Sequence, residues 1–373
     1  MKGKPITPPV HLSATYQFEN SSELIDVVEN HEGYIYSRWD NPTVVAVEKD
    51  MSALEGYTHC LGFASGMAAI TTALMAHVQA GSRVIAMREI YGATFEFLND
   101  VLPGLGVKPV FFNCWETDRI LQEIDQGVDL LYLETPTNPL LRVVDVKRLA
   151  DAAHQQGAVV MLDSTFASPI NQRPVELGVD VVLHSATKYI GGHHDITAGF
   201  ACFGQSAYQR IWNLRKVLGG IMDPMTAFLV KRSLATLELR VQRQNDNAMV
   251  IAEFLEGHPN ISATHYPGLA SHPDHDIAER QMTAFGGMVS FEIDGDFDTT
   301  KTFMDQLQVI KLATSLGGIT SLANQPITNT HVALSPENRN KAGISPSLVR
   351  LSAGLEPTDA LIGDLEQALA TVS

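Results

Sequence analysis

The sequence predicts an α/β fold: a mainly parallel seven-stranded sheet covered by helices, followed by a smaller C-terminal α+β domain. Three observations predict it. Short apolar runs recur along the first part of the 373-residue chain, and they are continuous rather than alternating, as in strands buried on both faces. Helical stretches separate most of these runs, which implies crossover connections and helices on both sides of a parallel sheet. Beyond one long helical stretch the pattern changes to short strands mixed with helices.

The elements follow in order. Residues 1–50 are rich in Pro, Ser, Asn and Tyr and show no sustained period, so they read as an extended arm with one or two short helices. An idle loop of that length is unusual, and the arm is expected to pack on something, a second subunit being the natural candidate. The large domain is expected over residues 51–234. Its apolar runs are Cys60–Ser65, Arg83–Met87, Val107–Asn113, Leu130–Thr135, Val159–Ser164, Val181–Ala186 and Ala198–Phe203, with helices such as Met67–His77 and Val146–Gln156 between them. A helix over Thr226–Glu256 would link this domain to the next. Residues 235–373 then carry short strands (Gly287–Ile293, Leu348–Ser352) and helices (Thr299–Gln306, Thr358–Thr371).

Composition excludes several function classes. The formal charge of −16 argues against nucleic acid, whose binding needs clustered Lys and Arg, and equally against an anionic membrane surface. The three cysteines, Cys60, Cys114 and Cys202, form no CxxC pair and read as buried thiols in a reducing compartment. The N-terminus has no apolar signal region, and no apolar run approaches the ~18 residues needed to span a bilayer. A cytoplasmic protein is the expectation. His193-His194-Asp195 and the histidines at 265, 272 and 275 read as solvated or structural residues rather than metal ligands.

In an open parallel sheet the site lies at the carboxyl ends of the strands, so the residues after each run carry the chemistry. These are Ser65-Gly66-Met67, Tyr91, Glu134 and Asn138, Asp163, and Ser185, Thr187 and Lys188. Lys188 is the only Lys or Arg between Arg173 and Arg210 and sits in the apolar and hydroxylic run VVLHSATKYIGG. Desolvation there favours the neutral amine, the form that attacks carbonyls. Asp163 is equally alone among acids between Asp151 and Glu176. Singly, each has a bland reading: an Asp capping a turn, a Lys reaching outward, an ordinary helix cap at Ser65-Gly66. Together they match what pyridoxal phosphate demands: an amine for its aldehyde, an acid for its pyridine nitrogen and backbone N–H groups for its phosphate. Rival chemistries fit worse. GFASG would need its serine at Ala64 to be a nucleophile elbow, and no GxGxxG follows a strand.

The motifs, in order, resemble the Cys/Met-metabolism enzymes that use pyridoxal phosphate, the trans-sulfuration family of cystathionine synthases and lyases. The resemblance runs through TPPVHLSATYQF, YSRWDNPT, ASGMAAI, YGAT, ETPTNP, LDSTFASP, HSATKYIGGHHD, YPGLASHP, SLGGITSL and LVRLSAGLE. It implies the aspartate-aminotransferase-like fold (fold type I) and a homodimer as the catalytic unit, usually paired into a homotetramer. It implies that Lys188 holds the cofactor's aldehyde and moves protons, that Asp163 pairs with the ring nitrogen, and that Tyr91 stacks on the ring. Asn138 would lie near the phenolic oxygen. Ser65, Gly66, Met67, Ser185 and Thr187 would hold the phosphate, joined by Tyr36 and Arg38 from the neighbouring subunit. Arg350 would clamp the carboxylate of an amino-acid substrate, with Ser315 and Thr314 bordering the same pocket.

Features that separate family members point both ways. Thr314 stands where many synthases and γ-lyases have Glu, which brings the chain closer to methionine γ-lyases and some β-lyases. Yet methionine γ-lyase's cysteine after YG is Ala93 here, and its Lys-Asp pair is Arg215-Lys216. Ser164 stands where Asn is common, HHDITAG and HYPGLAS look lyase-like, and LRVQRQN, FGGMVSFEIDGD, KVLGG and Gln325-Pro326 look like plant-type cystathionine γ-synthases. The expectation is γ-replacement on an activated homoserine ester by cysteine, giving cystathionine. The alternatives are a lyase eliminating at the γ or β carbon of cystathionine or methionine, and an inactive homologue serving as a binding protein.

Overall fold

The computed structural model describes residues 5–30, 32–328 and 343–372. Helix α1 (Ser21–Asn30) lies in the arm and buries none of its residues. Helix α2 (Pro42–Glu55) starts where the Asn41 side chain caps the Thr43 amide with Pro42 in the first turn, and stops at Gly56 in the left-handed region. It runs unbroken through residue 50, so arm and sheet are joined by a helix rather than a loop.

Strand and helix then alternate: β1 (His59–Phe63), α3 (Gly66–His77), β2 (Arg83–Met87), α4 (Gly92–Glu96), β3 (Lys108–Phe112), α5 (Thr117–Ile124), β4 (Leu130–Glu134), α6 (Val146–Gln155), β5 (Val159–Asp163), α7 (Ser168–Asn171), β6 (Val181–Ser185), β7 (Gly199–Phe203) and α8 (Gln205–Leu218). The seven strands form one sheet in the order β1-β7-β6-β5-β4-β2-β3. Only β7 runs opposite to the other six strands, and no helix lies between it and β6. The apolar runs therefore place every strand within two residues of its ends. β4 is buried at every position, as its unbroken LLYLE run requires. Apolar side chains of one face meet α3, α5, α6 and α8, while Val182, Phe200 and Cys202 pack with Val44, Val47 and Met51 of α2 on the other.

The long helix expected over Thr226–Glu256 is two helices, α9 (Pro224–Leu234) and α10 (Leu237–Glu256). The break has a polar cause. Arg240 takes the carbonyls of Ser233, Tyr189 and Ile190, and the Thr236 hydroxyl also turns onto the Ser233 carbonyl, so that carbonyl leaves the helical ladder. After α10 come β8 (Ile261–His265), α11 (His275–Gln281), β9 (Met288–Ile293), α12 (Phe297–Gln306), β10 (Lys311–Leu312), β11 (Leu322–Asn324), β12 (Leu348–Ser352) and α13 (Thr358–Leu369). Their five-stranded sheet, β10-β11-β12-β9-β8, packs its own core against α10, α12 and α13. A smaller apolar cluster of Leu141, Phe166, Tyr189, Leu237, Val241, Met288 and Leu316 joins the two layers beneath the strand ends. No described helix is long and apolar enough to cross a membrane.

Candidate active site

Strands β4, β5 and β6 are adjacent and parallel, so their carboxyl ends bring Glu134, Asp163 and Ser185 to one edge of the sheet. The helix-free segment between β6 and β7 carries Thr187 and Lys188 over that edge.

Lys188 reaches the Ser315 hydroxyl at 3.0 Å, across the two sheet layers. Burial, with Arg350 nearby, lowers its ammonium to about 8, Asp163 pulling the other way. Asp163 is 5% exposed and accepts the Thr165 amide at 3.0 Å. The Thr165 hydroxyl in turn accepts the Ser185 amide at 2.8 Å, which ties the ends of β5 and β6 together.

Arg350 on β12 is 2% exposed, yet among the described residues its fork meets only neutral oxygens: Asn138 Oδ1 at 3.1 Å and the Ser315 carbonyl at 3.2 Å. Its Nε has no partner among the described residues, and burial lowers its pKa to about 10. Ser315, at φ 79°, thus receives Lys188 through its side chain and Arg350 through its carbonyl. Thr314 beside it is exposed. Asn138 is held by its own loop. Arg142 places Nε and Nη2 on Asp274 at 2.5 and 2.9 Å, and the Val143 amide adds a third bond to that carboxylate at 3.0 Å.

At the other end, Ser65 caps α3 by accepting the Ala68 amide at 3.1 Å, which leaves the first-turn N–H groups of Gly66 and Met67 outside the helical ladder. The helix start packs against the strand ends so closely that only glycine fits. A Cβ on Gly66 would lie 2.8 Å from Ser185 Cβ, and one on Gly199 would lie 2.2 Å from the Ser65 carbonyl oxygen. The Thr187 hydroxyl closes its own loop by accepting the Ala198 amide at 3.1 Å. Tyr91, half exposed, begins α4, and its amide donates to Glu134 at 2.7 Å.

One edge therefore gathers Lys188, Asp163, Ser185, Thr187, Asn138, Arg350, Ser315, the start of α3 and Tyr91. Tyr36 and Arg38 lie elsewhere in their contacts. Arg38 donates to the Lys216 carbonyl at 2.6 Å with its guanidinium over the Tyr36 ring, and among the described residues it bonds none of the cradle of its own chain. Sequence reasoning noted Glu134 as a strand-end residue but gave it no role. The signal was available, because an acid closing the apolar run LLYLE is as isolated as Asp163 closing VVMLD. Arg215, which the resemblance sets against the Lys of the methionine γ-lyase pair, is fully buried between Glu48 and Asp40, and Lys216 lies between the Trp39 and Trp212 rings.

These groups fit pyridoxal phosphate: a partly desolvated amine, an acid on the neighbouring strand end, a glycine-only helix start for a phosphate, and a buried guanidinium with an unused donor for a carboxylate. Comparison with known proteins agrees. The family model for Cys/Met metabolism PLP-dependent enzymes matches residues 2–370. The chain is 43% identical over 369 residues to a chloroplastic cystathionine gamma-synthase of Arabidopsis thaliana, covering 98% of this chain and 66% of that protein's length. It is 40% identical to an L-methionine gamma-lyase of Pseudomonas putida, covering 98% and 93%. The crystal structure of cystathionine gamma synthase from Xanthomonas oryzae pv. oryzae, in complex with aminoacrylate and cysteine, superposes with a TM-score of 0.94 at 36% identity, covering 98% and 93%. The fold is accordingly that of the fold type I enzymes, and the chain belongs to the Cys/Met-metabolism family of pyridoxal-phosphate-dependent enzymes of trans-sulfuration.

Proposed function

We propose that the chain catalyses γ-replacement: the cysteine sulfur replaces the ester oxygen at Cγ of an O-acyl- or O-phosphohomoserine, giving cystathionine and releasing the carboxylate or inorganic phosphate. What carries this reading over its rivals is the greater identity to a synthase than to a methionine γ-lyase, 43% against 40%, set against the Thr314 that stands where many synthases have Glu. When bound, pyridoxal phosphate supplies the sink for electrons left at the substrate's Cα.

The chain's own residues do the rest. Ser65, Gly66, Met67, Ser185 and Thr187 would hold the phosphate at the positive end of α3. Asp163 would face the ring nitrogen and keep it protonated, and Tyr91 would cover the ring. Arg350 would take the substrate carboxylate through a fork that among the described residues meets only neutral oxygens, orienting Cα toward Lys188. With its pKa near 8, Lys188 has enough neutral amine at physiological pH to remove the Cα proton and then a Cβ proton, and to return them. Ser315 steadies that amine. The arm would serve a second subunit, where Tyr36 and Arg38 meet the partner's phosphate. Its exposed apolar residues Ile6, Leu12, Leu24, Ile25 and Val28 support a homodimer, which could pair into a tetramer.

The test is to incubate the holoenzyme with each homoserine ester plus cysteine and identify products by mass. Cystathionine is expected. Keto acid from cystathionine or methionine, with no cystathionine formed, replaces this reading with a lyase. No turnover of any kind, together with no cofactor absorbance, replaces it with a binding protein.

A further inference from the structure

Glu134 closes β4 and Asp163 closes β5, and the two are register partners in a parallel pair. Side chains paired in this way project from the same face of the sheet. Both carboxyls are dry, 4% and 5% exposed. Among the described residues neither stands in ion-pair contact with a cation. Two carboxyl groups side by side in such a place do not both ionise.

Their surroundings decide which one keeps the proton. Asp163 accepts the Thr165 amide and has the Thr165 hydroxyl and Lys188 close by, all of which favour its anion, while the His184 imidazole projects from the other face of β6 onto Glu55. Glu134 faces Asp163 itself, the Tyr132 phenol on its own strand and the Tyr91 amide on α4. Burial raises both acids, Glu134 well above its usual range with Asp163 adding to the rise. A neutral Glu134 can still accept the Tyr91 amide at 2.7 Å through its carbonyl oxygen.

We infer that Glu134 is a positioning residue that works as a neutral carboxylic acid: it keeps the proton of the Glu134–Asp163 pair and fixes Tyr91 through its backbone amide, leaving Asp163 alone to carry charge toward the cofactor ring. The inference rests on the roles proposed above for Asp163 and Tyr91. Charge at position 134 is then dispensable, whereas its hydrogen-bond acceptor is not.

The experiment compares Glu134→Gln and Glu134→Ala for cofactor affinity and for the pH dependence of the bound cofactor's absorbance. Gln copies the neutral acid in shape and keeps the carbonyl that receives Tyr91. Glu134→Gln is expected to hold cofactor affinity within about threefold, and Glu134→Ala to weaken it about tenfold, the scale of one lost buried hydrogen bond. Glu134→Gln as weak as Glu134→Ala shows that an ionised carboxylate is needed and overturns the inference, as does an unaffected Glu134→Ala. If Ala fails to fold, infrared difference spectra of the wild-type holoenzyme against Glu134→Gln decide the matter. A carboxylic-acid carbonyl band present in the first and missing from the second is expected, and no such band overturns the proposal. Asp163→Asn is measured in parallel. Wild-type cofactor affinity and spectrum in that variant would overturn the Asp163 assignment itself, whatever position 134 shows.

Discussion

Two buried arginines, Arg215 and Arg350, lie in opposite kinds of surroundings. Arg215 on α8 is 0% exposed and meets Glu48 at 2.5 Å, Asp40 at 2.8 Å and the Gly62 and Trp39 carbonyls, both at 3.1 Å. It fastens the root of the arm to α2 and β1. Arg350 on β12 is 2% exposed and among the described residues meets no carboxylate, only an amide oxygen and a carbonyl. A buried cation whose counter-ions come from the chain itself completes a scaffold. Among the described residues both arginines leave Nε without a partner, so the difference is one of charge: a cation held among neutral acceptors is matched only when an anion arrives. Lack of a carboxylate is insufficient by itself. Arg240 has none either, but its fork is filled by the Tyr189, Ile190 and Ser233 carbonyls and the Thr236 hydroxyl.

The largest effect that separates the two is catalytic. Arg350→Met should lower kcat/KM about a thousandfold, or ~4 kcal/mol, because the substrate carboxylate loses its clamp. The same variant should unfold at or above the wild-type temperature, since an apolar side chain replaces a desolvated charge without an ion partner. A large fall in unfolding temperature would erase the contrast.

Arg215→Met should do the reverse. Leaving Glu48 and Asp40 without their guanidinium should cost ~3 kcal/mol of folding stability, read as a lower urea midpoint, while KM of the folded fraction stays as in wild type. The loss should be smaller at pH 5 than at pH 8. Burial already raises the Glu48 acid against Arg215's pull, so without that cation it protonates more readily as pH falls. A loss independent of pH would remove Glu48 from the account. Next in size is the arm itself. Arg38→Ala should weaken cofactor binding about tenfold, the scale of one charge-assisted hydrogen bond to phosphate. Unchanged affinity in a stable dimer would confine Arg38 to its Lys216 contact.

The comparison also shows what can be read along the chain and what needs the fold. Lys188 and Asp163 stood out because each is a lone charge just after or at the end of an apolar run, where burial follows from the run around it, whereas Arg350 was reached only through the family resemblance. Ser65-Gly66 was legible because a polar cap and a glycine before a helix are local features. The Arg215 cluster was not, because it forms only when residues 39–48 meet α8 more than 160 residues later. Glu134 beside Asp163 is a fact of strand order, and β6, which follows β5 in sequence, was an equally available neighbour for either side. The break between α9 and α10 was hidden because Ala235 and Thr236 are unremarkable in a helix until Arg240 claims the Ser233 carbonyl.

The smallest effect tests whether Arg350 acts on Lys188 through space. Burial lowers the Lys188 ammonium to about 8, Arg350 lowers it further and Asp163 opposes them. The neutral amine is the form that attacks the cofactor's aldehyde, so the rate of cofactor attachment to the apo-enzyme should climb with pH and level off above about 8. Arg350→Met removes a cation that disfavours the ammonium, so the whole curve should move to higher pH. Asp163→Asn removes an anion that favours it, and the curve should move to lower pH. Arg215→Met, whose charge is matched by its own carboxylates, should leave the curve in place. Stopped-flow absorbance across a pH series reads all three variants. An unmoved curve in Arg350→Met would mean that its charge is screened from Lys188, and that Arg350 meets the amine only through Ser315.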